Sequence, residues 1–225
     1  MSSSPASRQR TVAQSERQAL ADFLLSAGPH EPTLCEGWST LDLAVHLVLR
    51  EHRPDAAAGM FISAASGHLA KVTESYRQRP YEQLVQAFRS GPPVWNPMRL
   101  ADRFVNTAEN FVHHEDARRG RGGAAPRDLD AETLAALWGV VSQSARFFLR
   151  NSPVQVRLVR ADNGATPPRS NGPTATGGDP RGGCATVTGD AGELLLWLYG
   201  REAAAQVTVE ESAPGVAQRV VKQAI

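Results

Sequence analysis

Lysine is nearly missing from this 225-residue chain: Lys71 and Lys222 are the only two among 24 basic residues. Arginine and alanine carry the bias, which fits a GC-rich genome better than a physical demand for guanidinium. Cysteine is scarce too. Cys35 and Cys184 are far apart and form no CxxC pair. No disulfide framework is indicated, and a reducing cytosol is the default compartment. No stretch approaches the roughly 18 consecutive apolar residues of a membrane span. The opening MSSSPASRQR is polar and lacks the apolar core of a signal peptide. Walker A and dinucleotide-type glycine patterns are absent. Net charge is only +1, which argues against a protein whose main task is to bind nucleic acid or an anionic membrane. Histidine stops early. All six (His30, His46, His52, His68, His113, His114) precede residue 115, so any imidazole chemistry belongs to the front of the chain.

Apolar residues make up 41% and charged residues 21% of the chain, enough for a packed core. Residues 1–8 read as a disordered tail. An apolar stripe of Val12, Leu20, Phe23, Leu24 and Leu25 predicts a helix over 9–26. GPHEP breaks it, and Thr33–Trp38 reads as a loop. Ser39 is placed to cap the next helix with Asp42 three positions on, and Trp38 is placed to staple onto Leu43. That helix runs through DLAVHLVLREH to Pro54. Further helices are expected at 64–78, 80–90, 98–119 and 130–150, the last capped by Asp128 or Asp130. No strand alternation interrupts 9–150, so this part reads as a bundle of about four long helices. After Pro153 the pattern changes. VQVRLVRAD, CATVTGD and AAQVTVEE alternate as strands do, with a helix AGELLLWLYGR capped by Asp190 between the last two. Residues 161–183 are rich in glycine and proline and read as a flexible loop. APGVAQRVVKQA is expected to form a final helix. The fold class is therefore mainly α: a bundle over 9–152 and a small α+β unit over 153–225.

One constellation can carry chemistry. Glu109 and His113 are four apart and share one face of the 98–119 helix. That spacing lets a carboxylate oxygen and an imidazole nitrogen meet one metal ion. His46 lies mid-helix among apolar residues and is the best third ligand. Two histidines and a glutamate form a known catalytic zinc set with an open fourth position. An exposed helix face is the plain alternative for the Glu–His pair, and a buried, hydrogen-bonded histidine is the plain alternative for His46. His114 is turned about 100° from His113, away from Glu109. Asp116 can accept from the His113 ring or pair with Arg119 on the surface. Cys35 has no base close to it in sequence and reads as packed. His30 and His68 read as exposed, and His52 suits the end of a helix.

Three stretches, TLCEGWSTLDLAVHLVLREHRPDAA, NTAENFVHHEDARR and VTGDAGELLLWLYGR, together resemble the actinobacterial metal-binding proteins related to mycothiol-dependent maleylpyruvate isomerase, within the DinB-like superfamily. The resemblance runs over almost the whole chain, except the first ten residues and 161–183. It implies a DinB-like four-helix domain followed by a small α/β domain. It also implies a divalent metal, zinc, on His46, Glu109 and His113, the same three residues that spacing selects. Mycothiol is the implied co-substrate, its sulfur meeting the open metal position, and Arg201 is implied to steady a carboxylate substrate. The expected function is a zinc-dependent thiol transferase or isomerase acting on an electrophilic small molecule in the cytoplasm. The alternative is a non-catalytic metal or ligand sensor. The isomerase's own substrate does not carry over, because the chain matches outside these stretches poorly.

Overall fold

The structure is a computed structural model describing residues 10–60, 62–93, 96, 105–161 and 172–223. The first helix, α1 (Val12–Ala27), starts on a capping box in which Thr11 and Gln14 satisfy each other's backbone N–H groups. The second, α2 (Thr40–His52), starts on the expected box. Asp42 Oδ2 accepts from the Ser39 N–H at 2.9 Å, and the Ser39 hydroxyl accepts from the Asp42 N–H. Short α3 (Pro54–Ala57) and then α4 (Ser66–Arg77) and α5 (Tyr81–Ser90) follow. The next two are α6 (Val105–Arg119) and α7 (Ala131–Phe148), the latter capped by Asp130 rather than Asp128. The 98–104 part of the expected 98–119 helix lies outside the described residues.

Packing departs from a simple four-helix arrangement. α1 lies along α6, and α5 fills the space against α1 and α2. Leu20, Leu24, Leu43, Leu47, Leu84 and Phe88 make that core. α7 turns instead toward the C-terminal residues and packs on α8 (Ala191–Leu198) and β2 (Thr174–Gly177). A second core runs through Phe111, Leu137, Val141, Leu158, Val187 and Leu195. It crosses the expected 152/153 boundary without a break.

The sheet has the order β2-β1-β3-β4, with β1 at Gln155–Arg160, β3 at Cys184–Gly189 and β4 at Thr208–Glu211. β1 runs parallel to β3, while β2 and β4 are antiparallel to their neighbours. The whole is mainly helical with a small four-stranded sheet. Two expectations change. The 161–183 stretch is not all loop, because β2 and a 3-10 turn at Pro180–Gly182 lie inside it; residues 162–171 are outside the described set. β2 has little apolar pattern of its own and forms by pairing with the edge of β1. Gly177 lets that edge reach α7, since a Cβ there would sit 2.6 Å from the Leu149 Cβ. The expected final helix is only one 3-10 turn, Ala217–Arg219. Pro214 and Gly215 (φ +83°) break its start. The segment beyond it is pinned to the core by Lys222 Nζ donating to Trp197 O at 2.6 Å and the Gln223 N–H donating to Phe148 O at 2.7 Å. Asp190 stands at the N-cap of α8 without making a side-chain cap bond.

Glycine matters where α6 meets the 32–38 loop. A Cβ on Gly120 would lie 2.0 Å from Pro32 O and 2.6 Å from the Thr33 Cα. The Leu34 N–H also donates to Asp116 O at 2.9 Å, tying the loop to α6. Gly120→Ala is therefore expected to destabilise the fold by about 1–3 kcal/mol, the usual range for overpacking, read as a lower urea midpoint. An unchanged midpoint would mean that the loop yields freely.

No helix among the described residues is long and apolar enough to cross a membrane.

Candidate metal centre

His46 projects from the middle of α2, and Glu109 and His113 from successive turns of α6. Their ligand atoms all lie within 4.8 Å of one another. The His113 Nε2 is 3.5 Å from Glu109 Oε2. The His46 and His113 rings meet edge to face, 5.1 Å between centroids, and the Trp38 ring is tilted against His46 at 5.2 Å. Trp38 thus lies against the site.

The charges in this pocket are not independent. Burial, then the neighbouring His113, pushes the His46 pKa down to about 3, so its ring is neutral with a free lone pair. Burial would also discharge His113. Hydrogen bonds from its ring to Asp116, Cys35 and Glu109 outweigh that and hold its pKa well above the usual imidazole value. Burial would raise Glu109, but His113 and then Arg50 bring it down to about 2. By these directions the three side chains are one neutral imidazole, one imidazolium and one carboxylate. Two imidazoles and a carboxylate suit a divalent cation such as zinc. Loading it would displace the Nε2 proton of His113, so uptake is favoured by rising pH.

A supporting layer surrounds the three. Asp116 is fully buried and resolves the two roles open to it. Its Oδ2 lies 3.0 Å from His113 Nδ1, the carboxylate–histidine arrangement that orients a ligating ring. Arg119 pairs elsewhere. Arg201 grips Asp116 with a fork, Nε to Oδ1 at 2.9 Å and Nη2 to Oδ2 at 2.7 Å. Its Nη1 donates to Tyr199 O at 2.7 Å. The turn that aims Arg201 is a Schellman cap. The Arg201 N–H donates to Leu196 O, the Gly200 N–H donates to Trp197 O, and Gly200 takes φ +85°. Glycine adopts that left-handed conformation without strain. Arg201 thus reaches the centre, but through Asp116.

Two contributors were not singled out by spacing. Spacing alone gives Cys35 no role beyond packing. Its thiol lies 3.3 Å from Asp116 Oδ2, and Arg201 Nη2 is 3.5 Å from its sulfur. Arg50, one turn after His46, puts Nε 3.5 Å from Glu109 Oε2 and donates from Nη2 to Asn106 Oδ1 at 3.0 Å. The i, i+4 relation of His46 and Arg50 was a signal available in the sequence; nothing local links Cys35 to Asp116. The remaining histidines stay outside the centre. His114 Nδ1 faces Glu16 at 3.3 Å, His68 pairs with Asp55 on the surface, and His30 is exposed.

Comparison with known proteins gives a single kind of support. The fold is similar to the crystal structure of the mycothiol-dependent maleylpyruvate isomerase, with a TM-score of 0.51 and 16% identity over 88% of this chain and 90% of that one. At this identity the likeness is one of fold. No protein-family model and no curated protein sequence matches the chain.

Proposed function

We propose that the protein binds one divalent metal ion, zinc by its donor set, on His46, Glu109 and His113, and uses it in a thiol-dependent reaction on an electrophilic small molecule. The convergence of those three ligand atoms within 4.8 Å, in a fold like that of a mycothiol-dependent isomerase, carries this reading. A bound cation at this position would favour the thiolate of a coordinating thiol, mycothiol in this reading, and so supply a nucleophile at neutral pH. The chain's own groups do the rest. Asp116 keeps the Nδ1 proton of His113 in place and so leaves Nε2 to the metal. Arg50 holds Glu109 ionised, and Trp38 screens one side of His46. Arg201, expected from the resemblance to hold a substrate carboxylate, in this reading acts first by positioning Asp116. The reaction class is transferase or isomerase, and the compartment is the cytoplasm, where the free thiols of Cys35 and Cys184 persist. Membership of the actinobacterial DinB-like group belongs to the same proposal.

The test is cobalt substitution. A low-molecular-weight thiol is expected to shift the visible spectrum of the Co(II) protein toward that of a sulfur-ligated tetrahedral centre. A metal-loaded protein whose spectrum no thiol changes would remove the enzyme reading and leave a sensor or carrier.

A further inference from the structure

His113 offers its two ring nitrogens to two different groups of side chains. Nε2 faces Glu109, within the His46 set. Nδ1 faces Asp116 at 3.0 Å, and the Cys35 thiol lies 3.3 Å from the same Asp116 oxygen. Cys35, His113 and Asp116 are themselves a metal-capable set, with one ligand atom from each within 4.8 Å of the others. A thiol, an imidazole and a carboxylate are the donors of a thiophilic divalent site. Two such sites sharing one imidazole would form a bridged pair.

One group stands against the second site being filled. Arg201 lays its guanidinium on both oxygens of Asp116, and its Nη2 is 3.5 Å from the Cys35 sulfur. Arginine does not lose its proton in proteins. A permanent cation therefore already sits against two of the three would-be ligands. Its backbone is fixed by the Gly200 turn and its Nη1 by Tyr199 O. A second dication would have to displace that fork and withstand the charge.

We infer that Cys35, His113 and Asp116 form a second metal position held shut by Arg201, which thereby sets the centre to one ion per chain. Filling the position would take the thiol proton of Cys35 and the Nδ1 proton of His113 to solvent. Cys35 is a free cysteine in this structure. The inference rests on the metal reading above only for the first ion.

Cadmium is the probe, because its bond to a thiolate gives a charge-transfer band in the ultraviolet. Wild type is expected to take one equivalent with no such band. Arg201→Met is expected to take two, with the band. Arg201→Lys, which keeps the charge, should behave as wild type. Arg201→Met with Cys35→Ser should return to one equivalent without the band. Arg201→Met with Glu109→Gln should keep the band with one equivalent, so the second position is read even if the first fails. Wild type that binds no cadmium would sink the metal reading; Arg201→Met taking one equivalent with the band would then still support closure by Arg201, and Arg201→Met taking none would overturn it. One bandless equivalent in folded Arg201→Met, or two in wild type, would overturn the inference. If Arg201→Met does not fold, alkylation of Cys35 in a Cys184→Ser background decides. Excess cadmium should leave the rate unchanged, and protection of Cys35 would show that Arg201 does not close the position.

Discussion

Protein carrying Glu109→Ala or His113→Ala is expected to purify with less than about a tenth of an equivalent of metal, against about one for wild type. Each substitution removes one of the three proposed donors. Arg50, the group nearest Glu109 on α2, is cationic. With Glu109 gone its charge would repel the ion it now indirectly tolerates. Asp116→Asn should do less, weakening affinity roughly 10–100-fold, as loss of an outer partner does, because His113 still ligates but is no longer held. His114→Ala is the control. It stands on another face of α6, against Glu16, and should leave metal content unchanged. Elemental analysis of chelator-free, untagged protein checks all four. Full metal content in His113→Ala would refute the assignment of α6 as the ligand helix.

The largest stability effect is expected at Arg119. Its guanidinium lies between two buried carboxylates: Nε donates to Glu115 at 2.5 Å, and Nη1 and Nη2 grip Glu193 at 3.1 and 2.6 Å. Glu115 also accepts from Arg127 Nε at 2.6 Å, and Arg127 forks onto Glu16 at 3.0 and 2.9 Å. A chain of alternating charges thus links α1, α6 and α8 through the interior. Arg119→Met would leave Glu193 buried without its arginine, while Glu115 keeps Arg118 and Arg127. Removing one member of a buried pair costs about 3–5 kcal/mol, so a large drop in the urea midpoint is expected. A shift under about 1 kcal/mol would mean that the chain of charges is wet enough to behave as a surface pair.

The same carboxylates predict acid sensitivity. Burial would raise Glu16 and Glu115, but hydrogen bonds from His114 and Arg127 on the first, and from Arg118, Arg127 and Arg119 on the second, bring both below the usual value of 4.5. Between the folded value and 4.5 the unfolded chain binds more protons. Their contribution is therefore complete above about pH 4.5 and is lost as pH falls through the folded values. Urea midpoints measured between pH 3 and 6 should fall on the acid side of that window.

What the sequence revealed followed the reach of local geometry. The Glu109–His113 pair is one helical turn, so periodicity alone puts both on one face. His46 stood out because an imidazole among leucines and valines needs a reason. Asp116 was undecided between His113 and Arg119, since both are three residues away on the same helix. The choice is made mainly from outside it: Arg201 takes Asp116 and Glu193 takes Arg119, which Glu115 of the same helix also holds. Cys35 and Asp116 are 81 residues apart, and no spacing rule relates them. β2 escaped notice for a similar reason, because Thr174–Gly177 is a strand by virtue of its partner. The tail misled in the opposite direction. Its composition permits a helix, but Lys222 and Gln223 bond instead to Trp197 and Phe148.

The Schellman turn at Gly200 also has a bearing on biosynthesis. All three proposed ligands have left the ribosome once residue 113 has emerged. Asp116 acquires its Arg201 fork only 85 residues later. During synthesis the ligating ring passes through a period in which its carboxylate support lacks a counter-charge. Full metal retention should thus be acquired late, once Arg201 has emerged, and nascent chains released before Arg201 should hold the ion less tightly than the finished protein.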